Sequence, residues 1–183
     1  RPEAASVLHQ LHKLGIRNTV MMTGDSYRTA EAIAKQVGVD QFYAEVLPED
    51  KANFVQKEKA AGHTVVMIGD GINDSPALSA ADIGIAINSG AAIAREIADV
   101  TIKADSLEEL VFLKTVANAL QHRVSANYRF VLSFNSTLIL LGALGILQPA
   151  ASAMLHNLST LGISLKSMTN LVQTPSSLPQ IAK

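Results

Sequence analysis

Residues 63–78 read HTVVMIGDGINDSPAL. His63 to Ile68 predicts a β-branched, continuously apolar strand, the kind buried on both faces of a parallel sheet. The strand runs directly into Gly69, Asp70, Gly71, Ile72, Asn73 and Asp74, so two carboxylates and an amide crowd one tight turn. Gly69 and Gly71 open backbone conformations that other residues resist. Carboxylates this close repel, which raises one pKa unless a cation neutralises them. Oxygen-only donors of this type suit Mg²⁺, which takes one or two carboxylates plus phosphate oxygens and waters. The plain alternative is a solvated Asp/Asn/Gly turn. A calcium-binding EF-hand loop starting at Asp70 is excluded: its third, sixth and twelfth positions would be Ile72, Ser75 and Ala81, where Asp or Asn, Gly and Glu are needed.

Working outward, strand and helix patterns alternate. Ala4 to Leu14 predicts a helix stopped by Gly15, and Asn18 to Met22 a short strand ending at Thr23, Gly24 and Asp25. Ala30, Ile33, Ala34 and Val37 have helical spacing, with Gly38 closing the helix. Ala44 to Leu47 reads as a weak strand, Pro48 to Ala61 as a helix ended by Gly62, and Pro76 to Ala81 as a short helix. Ile83 to Ile87 and Val100 to Ile102 are further strands, with a helix near Ala91 to Ala98 between them. This alternation predicts a doubly wound α/β fold with a parallel sheet. Ligands of such sheets bind at the carboxyl ends of the strands, where Thr23–Asp25 and Asp70–Asp74 both fall.

Composition narrows the function classes. The 183 residues carry a net charge of −1, which argues against nucleic acid as a partner. With no cysteine there is no disulfide framework and no thiolate metal site, as fits a reducing compartment. Arg1, Pro2 and Glu3 open no signal-peptide pattern. No initiating Met is present either, so the expectation is a piece of a longer polypeptide.

The decapeptide Gly69 to Leu78 resembles the G-D-G-x-N-D-x-P-A-L signature of P-type ATPases, members of the haloacid-dehalogenase superfamily. Thr23-Gly24-Asp25 resembles their T-G-D motif and Pro48 to Lys51 their P-x-x-K motif, in family order. The resemblance runs from Arg1 to about Val172. It implies that residues 1–125 are the C-terminal portion of a phosphorylation domain, partial and haloacid-dehalogenase-like, serving ATP-driven phosphoryl transfer through an aspartyl-phosphate. It further implies that Asp70 binds Mg²⁺ with Asn73 and Asp74 in support. Thr23 and Gly24 would hydrogen-bond phosphoryl oxygens, Asp25 would brace their loop, and Lys51 would neutralise charge on the transferring group. These are the parts phosphoryl transfer needs.

Each role has a plainer reading beside it. Lys51 sits in the first turn of its helix, where the dipole disfavours a cation, and a surface lysine offset by Glu49 and Asp50 is the simple account. Asp25 or Ser26 would serve as an ordinary helix N-cap. The family's nucleophile lies in D-K-T-G, and no Asp of this chain precedes Lys-Thr-Gly; Asp40, Asp82, Asp99 and Asp105 stand in other contexts. The expectation is that the N-terminal portion of the same polypeptide supplies the phosphoryl acceptor and most of the ATP site, and that the chain alone is inactive.

From Phe130 to Leu165, 36 residues pass without Asp, Glu, Lys or Arg. Phe130 to Leu147, about 27 Å as a helix, nearly matches a hydrocarbon core of roughly 30 Å. Gln148 and Pro149 make a turn, and Ala150 to about Val172 returns, with Lys166 placed to snorkel. Residues 126–173 therefore predict two transmembrane helices in the lipid bilayer, and residues 174–183 an irregular tail. Arg123, Arg129 and Lys166 lie at the open end, which puts both ends in the cytoplasm. The alternative is a buried helical hairpin of a soluble protein. His156 is the expected ligand of a transported ion, with Ser159 and Thr160 on its helix face and Asn135 on the other helix. Polar glue between helices is the competing role. His9 and His12 read as solvated.

Two final helices resemble the heavy-metal-transporting branch. Phe134-Asn135 departs from the Tyr-Asn of copper pumps, many zinc and cadmium pumps carry an Asp near position 156, and His156 to Thr160 is partly similar to a His-Glu-Gly-Gly-Thr run. The resemblance points to a divalent transition metal without choosing one. The competing functions are a soluble haloacid-dehalogenase-type phosphatase and a catalytically inert membrane subunit that keeps the fold.

Overall fold

A computed structural model describes residues 3–69, 72–87, 96–102 and 107–171. Asp70, Gly71, Asp105, the tail 174–183 and most of the helix expected near Ala91 to Ala98 lie outside the described residues. Two compact units emerge, Arg1–Lys114 and Thr115–Lys183.

Unit 1 begins with α1 (Ala4–Lys13), β1 (Val20–Met22), α2 (Tyr27–Val37) and β2 (Gln41–Tyr43). It continues with α3 (Pro48–Ala60), β3 (Val66–Gly69), a 3₁₀ turn (Ile72–Asp74), α4 (Ser75–Ala80), β4 (Ile83–Ile87) and β5 (Val100–Ile102). Every pairing is parallel. β1 pairs with β2 in the register Val20↔Gln41, and the second sheet has the order β3-β4-β5, with Ile68↔Ile85 and Ile85↔Val100. Among the described residues, β1 and β3 each keep one edge unpaired.

Alternation along the strands sends neighbouring residues to opposite faces. On one face, Val55 of α3 and Ala77 and Leu78 of α4 pack against Met67 and Ala86. On the other, Ile85 and Ile102 meet Leu110. Helices on both faces are the doubly wound arrangement. Val55 and Leu78 are each only 1% exposed, a burial worth about 1.5–3 kcal/mol apiece. Two carboxylates knit the strand starts: Val65 N–H donates to Asp82 and Gly84 N–H to Asp99, both at 2.8 Å.

Two strand expectations are corrected. The strand after α2 is Gln41–Tyr43, not Ala44–Leu47. Aromatic Phe42 and Tyr43 suit a pleated sheet, and Glu45 at φ 55° turns the chain out of extended backbone. β3 is buried on one face only, since Val66 and Ile68 are 40% and 38% exposed.

A 36-residue helix, α5 (Glu108–Ala143), carries the chain into unit 2, followed by α6 (Pro149–Ser167). Gly145, at φ 71°, turns the chain after α5, and Pro149 opens α6 with its ring already at a helical φ. The two helices of unit 2 are bonded side by side. Arg123 donates to the carbonyls of Ser167, Thr169 and Asn170, and Asn127 to Ser167 Oγ at 3.0 Å. The helical hairpin is therefore present. Its expected membrane crossing is not matched by composition: among the described residues, no helix is long and apolar enough to cross a membrane. α5 stops at Ala143, four residues before the expected end, so its apolar stretch keeps company with Arg129 and Asn135. α6 holds His156, Asn157 and Lys166 within 19 residues.

Candidate active site

Thr23 follows the end of β1, and Asn73 and Asp74 follow the end of β3, so both polar loops sit at carboxyl ends of parallel strands. The clearest contact is between α3 and the 3₁₀ turn: Lys51 Nζ lies 2.8 Å from Asp74 Oδ1, with the side chains 15% and 13% exposed. A cation in the first turn of a helix stands against the dipole, and an anion 23 residues away accounts for its placement. Asp50, which precedes it, accepts from Leu47 N–H at 3.4 Å and so helps satisfy the helix start.

Gly69 is set by packing. A Cβ there would lie 2.6 Å from Asp74 Cβ and 2.9 Å from its Oδ2. Its φ is not in the left-handed region, so close approach of Asp74 is what excludes a side chain, rather than the conformational freedom expected from sequence.

The Thr23 loop is held from two sides. Thr23 Oγ1 donates to Asp25 Oδ2 at 2.8 Å and accepts from Asp25 N–H at 3.1 Å. Three backbone bonds of 3.0 Å fasten it to the segment after β2: Thr23 N–H to Tyr43, Val46 N–H to Thr23 and Glu45 N–H to Asp25. Ser26 takes the N-cap position of α2, yet its hydroxyl pairs with Thr29 Oγ1 and makes no cap bond. The capping role expected of Asp25 or Ser26 is thus not observed. Next to this loop, Met22, Tyr43, Val46, Asp50 and Phe54 line a cavity of about 210 Å³, with the Tyr43 and Phe54 rings 5.1 Å apart. No residue pattern signals that cavity. Met22 also packs against the cluster containing Val55, one helical turn beyond Lys51.

The donors left by this arrangement are hard oxygens: the carboxylate of Asp74 and the side-chain oxygen of exposed Asn73. They fit Mg²⁺ better than a softer metal. Among the described residues, no three His, Asp or Glu side chains cluster as a metal site.

In unit 2, His156 Nδ1 lies 2.8 Å from Asn135 Oδ1, a hydrogen bond between the two helices. Ser159 and Thr160 do not act as glue between helices. Their hydroxyls donate back to the His156 carbonyl at 2.8 and 3.1 Å. His12, expected to be solvated, is instead tied down, with Nδ1 2.9 Å from the Ile16 carbonyl and Nε2 3.4 Å from Asp40. Hydrogen bonds from the hydroxyl and N–H of Thr19 hold the Asp40 carboxyl below its usual range. The Val65 N–H bond, with Lys59 adding to it, does the same for Asp82.

Known proteins match this chain over most of its length. A family model described as haloacid dehalogenase-like hydrolase covers residues 1–82. A zinc-exporting P-type ATPase of Mycobacterium marinum is 42% identical over 164 residues, 89% of this chain. A manganese-exporting P-type ATPase of Mycobacterium leprae is also 42% identical over 164 residues. The chain spans 22% and 23% of those relatives' lengths. Among solved structures, a zinc-transporting PIB-type ATPase in the E2.Pi state superposes with a TM-score of 0.83 at 33% identity. The match covers 92% of this chain and 27% of that one.

Proposed function

Because the chain belongs to the heavy-metal-transporting P-type ATPases, we propose that it forms the C-terminal part of an ATP-driven transition-metal pump working through an aspartyl-phosphate. The observation that carries this reading is the Lys51–Asp74 bridge, which joins two motifs far apart in sequence into one charged site beside a strand end. Asp70, Asn73 and Asp74 would hold Mg²⁺, which when bound neutralises the phosphoryl oxygens. Lys51, positioned by Asp74, adds a second positive charge. Gly24 N–H and the Thr23 hydroxyl would bind the phosphoryl group. The hydroxyl has one proton and shares it with Asp25, so Asp25 holds Thr23 until it rotates toward an incoming phosphoryl oxygen. ATP and the acceptor aspartate belong to a portion of the polypeptide outside these residues. The relatives' greater length and the unpaired edges of β1 and β3 support that placement: an exposed edge strand invites another strand.

For unit 2 the reading is insertion of the α5–α6 hairpin in the bilayer, the soluble unit and both hairpin ends cytoplasmic. Large apolar side chains turned outward support it, among them Ile139 at 73% exposure and Met154 at 64%. His156 would contact the transported divalent ion; zinc and manganese relatives are equally similar. The test is metal-stimulated ATP hydrolysis by the full-length polypeptide. Lys51→Ala should lower turnover roughly 100-fold or more, the scale of losing one electrostatic stabiliser. Turnover within threefold of wild type would overturn the assignment.

A further inference from the structure

The contact between Asn135 and His156 fixes more than a distance. An amide oxygen has no proton to give, so at 2.8 Å the imidazole must donate through Nδ1. A neutral ring with its proton on Nδ1 keeps its lone pair on Nε2, the form able to ligate a metal. Nothing in the adjoining turn opposes this. The hydroxyls of Ser159 and Thr160 are spent on the His156 backbone carbonyl. Asn135 and His156 both line one groove of about 660 Å³ within unit 2, walled by apolar Leu138 and Gly142 with polar Ser152 and Asn157.

We propose that Asn135 is a positioning residue for His156: it holds the imidazole in the Nδ1–H tautomer and so presents Nε2 as the ligating atom for a divalent transition-metal ion. The inference rests on the reading of His156 as an ion contact and adds what makes that side chain competent. Partners of this kind, which orient a ligating histidine from behind, change metal affinity about 10–100-fold when removed.

The experiment uses the full-length polypeptide in lipid, with ¹⁵N-labelled histidine and the His156 resonances assigned by difference against His156→Ala. Without metal, wild type should show neutral His156 protonated at Nδ1. Asn135→Leu, similar in size and lacking an acceptor, should move the proton to Nε2 and weaken Zn²⁺ and Co²⁺ binding 10–100-fold. Asn135→Asp, whose carboxylate also accepts from Nδ1, should keep a proton on Nδ1 and bind Zn²⁺ and Co²⁺ more tightly than Asn135→Leu does. Unmoved signals from the other histidines establish that the variants fold. An Nε2–H ring in wild type, or Asn135→Leu with wild-type tautomer or affinity, overturns the proposal. Unchanged metal affinity in His156→Ala overturns the underlying ion-site reading instead. Lost affinity in His156→Ala beside an unaffected Asn135→Leu overturns only the positioning role.

Discussion

Replacing Lys51 by Met should loosen the 3₁₀ turn between β3 and α4 that carries Asp74, and the size of the effect follows from burial. The pair is 2.8 Å apart with side chains 15% and 13% exposed. Removing one member of a fully buried pair costs 3–5 kcal/mol because the other charge is stranded. Residual exposure puts this pair at the low end, about 3 kcal/mol, or roughly 150-fold in an opening equilibrium at 1.4 kcal/mol per decade. Hydrogen exchange by mass spectrometry on peptides covering residues 66–80 of the full-length polypeptide reads that opening locally. Lys51→Met and Asp74→Asn should each speed exchange there on the order of 100-fold. The double variant strands no charge and should fall well short of the product, with a coupling of about 2 kcal/mol, within the range found for contacting residues. Single variants exchanging within threefold of wild type, or effects that simply multiply, would refute the claim that the two side chains form one unit.

Three further outcomes follow from the structure. Gly69→Ala should destabilise unit 1 by about 1–3 kcal/mol, as overpacking does, since the new methyl would sit 2.6 Å from Asp74 Cβ; thermal unfolding at unchanged transition midpoint would contradict it. Asp40, whose carboxyl is held below its ordinary value by Thr19, contributes stability that is complete above about pH 4 and lost as pH falls through its lowered folded pKa. Acid unfolding of Asp40→Ala should accordingly show a shallower pH dependence below about pH 4 than wild type. Arg123→Ala removes three hydrogen bonds, one to the last carbonyl of α6 (Ser167) and two to the carbonyls of Thr169 and Asn170 just beyond it. It should fray the last turn at a cost of about 1 kcal/mol, read as faster exchange over residues 163–168.

What could be read from residues alone depended on how local the cause was. β4 and β5 form at Ile83–Ile87 and Val100–Ile102 as expected, because a short apolar run between polar turns admits few other structures. β2 was displaced by the backbone of Glu45, a non-glycine residue at positive φ that no pattern announces. Val66 and Ile68 read as core, but burial depends on what lies across the face, and among the described residues they stay 40% and 38% exposed. α5 was hidden for a different reason. The change from charged to uncharged residues near position 126 suggested a boundary, while the backbone ladder from Glu108 to Ala143 runs through it. Lys51 was half legible: its place in a helix start is awkward for a cation, Glu49 and Asp50 offered a local offset, and only the fold brings Asp74 to it. The bond from His156 to Asn135 needed a tertiary turn that spacing cannot specify.

A phosphoryl group received elsewhere in the polypeptide would be handled by Lys51 and Asp74. The most direct measurement is mapping of the acid-stable ³²P label that the full-length polypeptide takes from Mg²⁺-ATP. The label should sit on an aspartate outside residues 1–183 and fall to background in Lys51→Ala and Asp74→Ala. A labelled residue within this chain, or undiminished labelling of both variants, would contradict it.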